Sequence, residues 1–213
     1  MRLIRAPGVY APQEDTRLLA QVLRGAAIPP GARVLDVGTG TGALALAALR
    51  AGAAEVVAVD VSLRAVLTAR LNTIGQPVRV RLGDVLRVVG GDTFDLVLAN
   101  PPYVPSDEVM ERAWDAGPDG RDLLDPLCDK AFDLLRPGGT MLLVHSGLCG
   151  AELTLDRLRA AGLKASVVDR RWIPFGPVLR SRIRFLEWHG LVEPGLRYEE
   201  LVVIRGDRPE KPS

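Results

Sequence analysis

Short runs rich in valine and leucine alternate with helix-like segments, and this alternation restricts the fold more than any other feature of the chain. Five such runs, which begin at Arg33, are predicted to be buried strands: RVLDV, EVVAVD, VRVRL, FDLVLA and TMLLVHS. The intervening segments carry apolar residues at a spacing near 3.6, as amphipathic helices do. A repeated strand–helix unit predicts a mostly parallel sheet with helices on both faces.

The remaining segments extend the same domain. After a further helix, the runs ASVVD and ELVVIR are expected to form a closing antiparallel pair of strands. We therefore expect one Rossmann-like α/β domain over residues 1–206, with a seven-stranded sheet whose last strand is antiparallel. Residues 1–32 form an N-terminal extension with a helix, 170–198 form a long link between the last two strands, and 207–213 are expected to be a disordered tail.

Composition excludes several classes of protein. A net charge of only +1 argues against a general polyanion-binding protein. Cys128 and Cys149 have neither metal-like nor paired spacing, which is typical of proteins in a reducing compartment. The first residues lack the apolar run of a signal peptide, and no segment reaches the length of a membrane span. We expect a soluble cytoplasmic protein with no metal site and no membrane partner.

A glycine-rich turn separates the first predicted strand from the first helix, with Gly38, Gly40 and Gly42 in it. Glycines at this point let the backbone approach a ligand closely and adopt positive φ angles. Asp60 ends the second strand, where its carboxylate can accept both hydroxyls of a ribose. Asp84 ends the third strand and could accept a hydrogen bond from an adenine amino group. The alternative, that both acids are ordinary turn residues, stays open.

Two features favour S-adenosylmethionine over a dinucleotide as the ligand. Asp36 directly precedes the turn, where a carboxylate would repel a pyrophosphate but hold an amino-acid ammonium, directly or through water. The glycine spacing is also GxGxG rather than the dinucleotide GxGxxG. S-adenosylmethionine is therefore the predicted cofactor, and Val61 and Val85, which follow the two strand-end acids, are placed in the same site.

The tetrad Asn100-Pro101-Pro102-Tyr103 follows the fourth strand, on the edge of the sheet where ligands bind. A planar amide or aromatic amine is a poor nucleophile because its lone pair is delocalised. Hydrogen bonds from its NH2 group to Asn100 Oδ1 and the Pro101 carbonyl would align the nitrogen and stabilise its developing charge. The prolines would stiffen the turn, and Tyr103 could stack on the planar group. A plain proline-rich turn is the alternative.

Together these motifs resemble the HemK-type glutamine methyltransferases, in particular the short branch of release-factor methyltransferases. The shared stretches are residues 9–16 with 18–19, 35–42, 100–104 and 113–121. The resemblance implies that the following residues contact the cofactor: Thr16, Asp36, Gly38, Asp60, Asp84 and Asn100. It implies that residues 100–103 hold a glutamine amide, usually in the GGQ loop of a release factor. It also makes a small activating subunit possible, because short-branch relatives often work with one.

Other acceptors remain open at this point: an adenine N6 of RNA or DNA, a small molecule, or none if the domain only binds. The link over 170–198 interleaves basic and aromatic residues, which suits RNA or a peptide. These are Arg170, Arg171, Arg180, Arg182 and Arg184, with Trp172, Phe175, Phe185 and Trp188. We predict that the link forms one wall of the substrate cleft; the alternative is a structural hairpin with solvated arginines.

Overall fold

A computed structural model describes residues 3–107 and 114–210. The strands are β1 (Arg33–Val37), β2 (Glu55–Asp60), β3 (Val78–Leu82), β4 (Phe94–Ala99), β5 (Leu135–Ser146), β6 (Lys164–Pro174) and β7 (Tyr198–Asp207). The α-helices are α1 (Glu14–Gly25), α2 (Ala43–Arg50), α3 (Leu63–Asn72), α4 (Val85–Val88), α5 (Leu124–Asp129), α6 (Ala131–Leu134), α7 (Ala151–Ala160), α8 (Pro177–Ser181) and α9 (Ile183–Trp188). Within these described ranges, no helix combines the length and the apolar character that a bilayer crossing requires.

The seven strands form one sheet in the order β3-β2-β1-β4-β5-β7-β6. Strands β1 to β5 pair in parallel, and β7 runs antiparallel to both of its neighbours, β5 and β6. This confirms the predicted α/β architecture with an antiparallel last strand. The strand order reverses between β1 and β4, so the loops after these two strands diverge and leave a crevice at the carboxyl edge.

The N-terminal extension is part of the domain because α1 packs on the sheet. Leu18, Leu19 and Leu23 lie on one face of this helix and are fully buried. Burial of a leucine side chain contributes about 1.5–3 kcal/mol, so these three residues fix the helix firmly. The first turn of α1, with Asp15 and Thr16, is thereby held at the carboxyl edge of the sheet.

The link between the last two strands is shorter than predicted. Strand β6 continues to Pro174, which pairs with Tyr198 at the start of β7, so the link comprises residues 175–197 and contains α8 and α9. Residues 170–174 alternate between more and less exposed positions, as an edge strand does. Because these residues include two arginines and a tryptophan, their two-residue alternation was not recognised in the sequence as that of a strand.

The tail is also shorter than predicted, because residues 207–210 are part of the domain. Asp207 is the last residue of β7, and Arg208 donates hydrogen bonds to the carbonyl oxygens of Phe132 and Leu135. The Arg208 guanidinium lies 3.9 Å from the centre of the Phe132 ring, which adds a cation–π contact. Residues 207–210 therefore belong to the domain, and the remaining residues of the predicted tail, 211–213, lie outside the described ranges.

Candidate active site

Two cavities open at the carboxyl edge of the sheet, on either side of the tetrad. The loop cavity, about 400 Å³, lies between the glycine-rich turn and the ends of β2 and β3. The link cavity, about 570 Å³, lies between the tetrad, the start of α1 and residues 173–180. Tyr10, Asn100 and Pro102 line both cavities. Two molecules bound on either side of this shared wall would meet at Asn100.

The glycine-rich turn forms one side of the loop cavity in the conformation that the sequence predicts. Gly38, Gly40 and Gly42 have φ angles of +66°, +53° and +80°, a region that residues with a Cβ rarely adopt. A Cβ at Gly42 would also lie 3.3 Å from Thr73 Cγ2 on α3. These glycines therefore allow both the tight turn and the close approach of α2 to its neighbours.

Asp36 lies beneath the turn rather than on the cavity surface. Its side chain is fully buried, and Oδ2 accepts hydrogen bonds from Thr39 Oγ1 (2.6 Å) and the Ala45 amide (3.0 Å). Burial raises the pKa of Asp36 to about 7. Its Oδ1 has no hydrogen-bond partner among the described residues. Asp36 thus holds the turn in place, and of the two predicted contacts with an ammonium group this geometry favours the one through water.

The acid at the end of β2 faces the loop cavity and supports the turn at the same time. Asp60 accepts hydrogen bonds from the amides of Gly40 and Ser62, each at 2.9 Å. Burial raises the pKa of Asp60, while these hydrogen bonds lower it. A carboxylate oxygen can accept more than one hydrogen bond, so each oxygen retains capacity for a ligand hydroxyl.

The remaining predicted cofactor contacts also border the loop cavity. Asp84 is exposed on its rim and caps α4 through a 3.2 Å hydrogen bond from the Arg87 amide, so the turn-residue alternative holds alongside a binding role. Val61 and Val85 contribute apolar surface, and Val61 is 53% exposed. An exposed valine beside a carboxylate suits a ligand with a flat ring, because the valine can contact the apolar face and the carboxylate the polar edge.

The side-chain amide of Asn100 is oriented by a hydrogen-bond chain from α1. Thr16 Oγ1 lies 3.1 Å from Asp15 Oδ1 and 3.2 Å from Asn100 Nδ2. The single hydroxyl proton is donated to the carboxylate, so the hydroxyl oxygen must accept from Nδ2. Asn100 Oδ1 is consequently left as a buried acceptor without a partner among the described residues. A buried acceptor of this kind is costly unless a ligand donor satisfies it.

Asp15 also fixes two tyrosines. Its Oδ2 accepts hydrogen bonds from the hydroxyls of Tyr10 (2.7 Å) and Tyr103 (3.1 Å). Burial and the neighbouring carboxylate raise the pKa of both tyrosines, which therefore stay neutral. Tyr103 is a rigid part of the link-cavity wall; stacking of its ring on an acceptor stays a prediction. Sequence reasoning missed Tyr10 and Asp15, because nothing in their spacing indicates this contact with the tetrad.

The stretch after the tetrad supports it from behind. The amide of Val104 donates to the Trp114 carbonyl at 2.8 Å, and the amide of Ala116 donates to the Val104 carbonyl at 3.1 Å. Gly120 has a φ of +76°, and a Cβ there would lie 2.4 Å from the Tyr103 carbonyl oxygen, so only glycine fits. Arg121 anchors the end of the stretch on the Cys149 carbonyl. Ala113, part of the resemblance, lies outside the described residues.

The end of β6 and the start of the link, residues 173–180, form one wall of the link cavity; that this wall borders the substrate stays a prediction. Three of the five arginines that the sequence predicted for the link, two of them on β6, are engaged by acids of the same chain. The pairs are Arg170 with Glu200 (2.7 Å), Arg171 with Glu14 (3.8 Å) and Arg182 with Asp115 (2.5 Å). Trp172 and Trp188 are exposed, whereas Phe175 is buried. Intramolecular pairing reduces the positive charge that the link can offer to a phosphate backbone.

The sheet order, the glycine-rich turn with acids at the following strand ends, and the tetrad at the reversal point together define a class I S-adenosylmethionine-dependent methyltransferase. The chain belongs to the methyltransferase small domain family, whose match spans residues 1–161. S-adenosylmethionine is the methyl donor of this class. The loop cavity is lined by carboxylates and by glycine backbone, which fit the contacts predicted for this cofactor.

Relatives and solved structures agree with this class. A protein of Methanocaldococcus jannaschii, provisionally named a protein N5-glutamine methyltransferase, is 33% identical over 79% of this chain and 88% of its own length. A release factor glutamine methyltransferase of Deinococcus radiodurans is 41% identical over 72% of this chain but only 56% of its own length. The E. cuniculi Mtq2–Trm112 complex, which methylates the termination factor eRF1, contains a chain that matches with a TM-score of 0.69 and 25% identity, over 94% of this chain and 99% of that one.

Proposed function

We propose that this enzyme methylates the side-chain amide nitrogen of a protein glutamine, and that the protein is a translation release factor. The observation that carries the proposal is the free, buried Oδ1 of Asn100 on the wall shared by the two cavities. A glutamine amide that enters the link cavity supplies the donor that this oxygen lacks.

Residues of the chain would position the two reactants as follows. When bound, S-adenosylmethionine supplies an electrophilic methyl group; Asp60, Asp84 and the glycine-rich turn would hold it in the loop cavity. Asn100 Oδ1 and the Pro101 carbonyl accept the two N–H groups of the acceptor and keep its plane fixed. Because Asn100 is itself held by Thr16, little reorganisation is needed when positive charge develops on the nitrogen.

A protein acceptor fits the link cavity better than RNA does. The wall of this cavity formed by the end of β6 and the start of the link is largely apolar, with Pro174, Phe175 and Pro177, as suits a peptide loop. The arginine pairing described above lowers the charge available to phosphates. The relatives are named as methyltransferases of protein glutamine and of release factors, and the Mtq2–Trm112 complex is described as methylating eRF1, which supports the same acceptor. A translation factor as substrate would place the enzyme in the cytoplasm.

The test is methyl transfer to matched acceptors. The purified chain is incubated with S-adenosylmethionine and a release-factor peptide that contains GGQ, and the product is located by tandem mass spectrometry. We expect one methyl group on the glutamine, and none on a peptide with asparagine or alanine in its place. Transfer to an adenine-containing RNA or to small molecules, with the peptide left unmodified, would overturn the proposed acceptor.

We further propose that a small protein partner binds an apolar surface formed by α3 and β3, at the edge of the sheet opposite β6. Leu63, Leu67 and Leu71 recur every four residues on the outer face of α3 and are each at least half exposed. The adjacent β3 is an edge strand, and its Leu82 is 48% exposed. Contiguous exposed apolar surface of this kind is typical of a protein interface, and the related Mtq2 is found in complex with Trm112.

Coexpression with a small Trm112-like protein tests this surface. We expect a stable complex by size-exclusion chromatography, and we expect paired Leu67→Glu and Leu71→Glu substitutions to abolish it. Leu153→Glu is the matched control, because Leu153 is an equally exposed leucine on α7. A complex that survives the α3 substitutions would show that the partner binds elsewhere.

A further inference from the structure

Glu199, the second residue of β7, is a buried carboxyl group in the link cavity. It pairs with Ile173 of β6 and is only 4% exposed. It lines the link cavity together with Asn100 and Pro101. Its Oε2 has no hydrogen-bond partner among the described residues. The cavity thus contains two unsatisfied buried acceptors, Asn100 Oδ1 and Glu199 Oε2.

Several polar groups surround this carboxyl. The Ser146 hydroxyl on β5 donates a hydrogen bond to it, and Asp15 on α1 is a nearby like charge. Burial raises the pKa of Glu199 to about 7; the charge of Asp15 adds to this, and the bond from Ser146 opposes it. The other titratable groups around it or at the cavity lining, among the described residues, are Tyr10, Tyr103, Glu14, Arg180 and Cys149, the last with its pKa raised to about 12 by burial.

Methylation of a neutral amide leaves a proton to be removed. The nitrogen forms a bond to the methyl carbon, the carbon–sulfur bond breaks with its electron pair left on sulfur, and the nitrogen must lose one N–H proton to end as a neutral N-methylamide. Asn100 is an amide and cannot take this proton. Both oxygens of Asp15 already accept hydrogen bonds, from Thr16 on one side and from two tyrosines on the other. Glu14 is paired with Arg17 and Arg171 near the cavity mouth.

We propose that Glu199 accepts the proton of the acceptor nitrogen, directly or across one water molecule. The step balances, because a sulfonium, a neutral amide and a carboxylate become a thioether, a neutral N-methylamide and a carboxylic acid. The positive and the negative charge disappear together, which favours the reaction in an apolar cavity. A proton acceptor works best when its pKa lies near the operating pH, as that of Glu199 does. This role rests on the proposed glutamine acceptor.

Single-turnover methyl transfer with Glu199→Gln tests the role. In the wild type we expect the rate constant to rise with pH and to level off above about pH 7, as the carboxylate forms. The glutamine variant should be slower by about 100-fold or more and lose this rise. Glu200→Gln is the matched control, because Glu200 lies on the other face of β7, paired with Arg170, and should leave rate and pH profile unchanged.

Peptide binding measured without the cofactor distinguishes a proton acceptor at Glu199 from a residue with a structural role only. Calorimetry of peptide binding at pH 7, in two buffers of different ionisation enthalpy, should show proton release by the wild type, because a hydrogen bond to the carboxylate favours its ionised form. Glu199→Gln should bind without this release. A Glu199→Gln variant that matches an active wild type in rate, pH profile and proton release would overturn the role. A wild type that leaves the peptide unmethylated would instead refute the proposed acceptor, and this role with it.

Discussion

At the scale of single residues, the hydrogen-bond chain from Asp15 through Thr16 to Asn100 decides which atom faces the acceptor. Thr16→Val keeps the shape of the side chain but removes the oxygen that accepts from Asn100 Nδ2. The amide can then rotate, and we expect methyl transfer to slow by about tenfold, or 1.4 kcal/mol. Asn100→Ala should cost about 10²–10³-fold, as loss of a preorganised polar group at a reacting centre does.

At saturating S-adenosylmethionine the losses in methyl-transfer rate should not be additive, because Thr16 acts on this step through its hydrogen bond to Asn100. A double-mutant cycle measures this coupling. We expect the double variant to be no slower than Asn100→Ala alone, with circular dichroism confirming that each variant is folded. Fully additive losses would show that Thr16 acts on the reaction independently of Asn100.

Asp60 is expected to contribute to cofactor affinity. Asp60→Ala should weaken binding of S-adenosylmethionine by about 1.5–3 kcal/mol, since charge-assisted hydrogen bonds to the ligand and the support of the Gly40 amide are both lost. Isothermal titration calorimetry measures the change. Asp84→Ala is the comparison on the exposed rim of the same cavity and should have a smaller effect. Unchanged affinity in a folded Asp60→Ala variant would remove Asp60 from the binding site.

The residues that sequence reasoning found and those it missed differ in how far along the chain their partners lie. The placement of the glycine-rich turn, Asp60 and Asn100 beside one cavity could be predicted because each follows directly from a strand end; their roles stay predictions. Asp15 contacts a tyrosine that is 88 residues away, and Glu199 reaches the link cavity only because β7 returns beside β5. No local spacing encodes such contacts.

At the scale of elements, the five parallel strands could be predicted because each is a continuous buried run. Strand β6 could not be delimited, because an edge strand exposes alternate residues and here these include arginines and a tryptophan. Nor could the arginine-rich link be interpreted from composition. Whether an arginine binds a ligand or an internal acid depends on partners such as Glu14 and Asp115, which lie far earlier in the chain.

Arg182 is expected to fasten the link to the stretch that supports the tetrad. It pairs with the buried Asp115 and donates a hydrogen bond to the Pro105 carbonyl at 3.2 Å. Arg182→Ala should lower the free energy of unfolding by about 3 kcal/mol, because removal of one partner of a buried ion pair leaves the other charge poorly compensated. Arg184→Ala, an exposed position on α9, should be nearly neutral. Urea denaturation compares the two, and equal stabilities would place Arg182 among the solvated arginines.

At the scale of the whole molecule, stability and catalysis depend on different parts of the fold: the hydrophobic core stabilises the protein, and the cavities carry the reactive groups. The two cavities meet at one wall, and among the described residues Asn100 Oδ1 and Glu199 Oε2 are buried acceptors in these cavities without a hydrogen-bond partner. An unsatisfied buried acceptor costs stability in the free protein, and a ligand that donates a hydrogen bond to it removes that cost. The large core around β1, β4 and β5 offsets that cost.

The buried carboxyl groups should therefore make stability depend on pH in an unusual direction. The pKa of Glu199 is raised from 4.5 to about 7 in the folded protein. Below the unfolded pKa the group is protonated in both states and carries no penalty. As pH rises through the folded pKa, the unfolded state ionises freely and the folded state ionises only at a cost, so stability is lost between about pH 4.5 and pH 7.

Glu199→Gln removes this titration, so the variant should gain stability relative to the wild type as pH rises. The difference should be small at pH 4 and reach about 3 kcal/mol at pH 8 if the shift is fully expressed. Urea denaturation of both proteins at these two pH values measures it, with Glu200→Gln as a control that should track the wild type. If the free energies of unfolding of Glu199→Gln and the wild type differ by the same amount from pH 4 to pH 8, the Glu199 carboxyl is hydrated in the folded protein. A hydrated carboxyl would lose the reason for its raised pKa, and the rise of the methyl-transfer rate with pH would then have to come from another group.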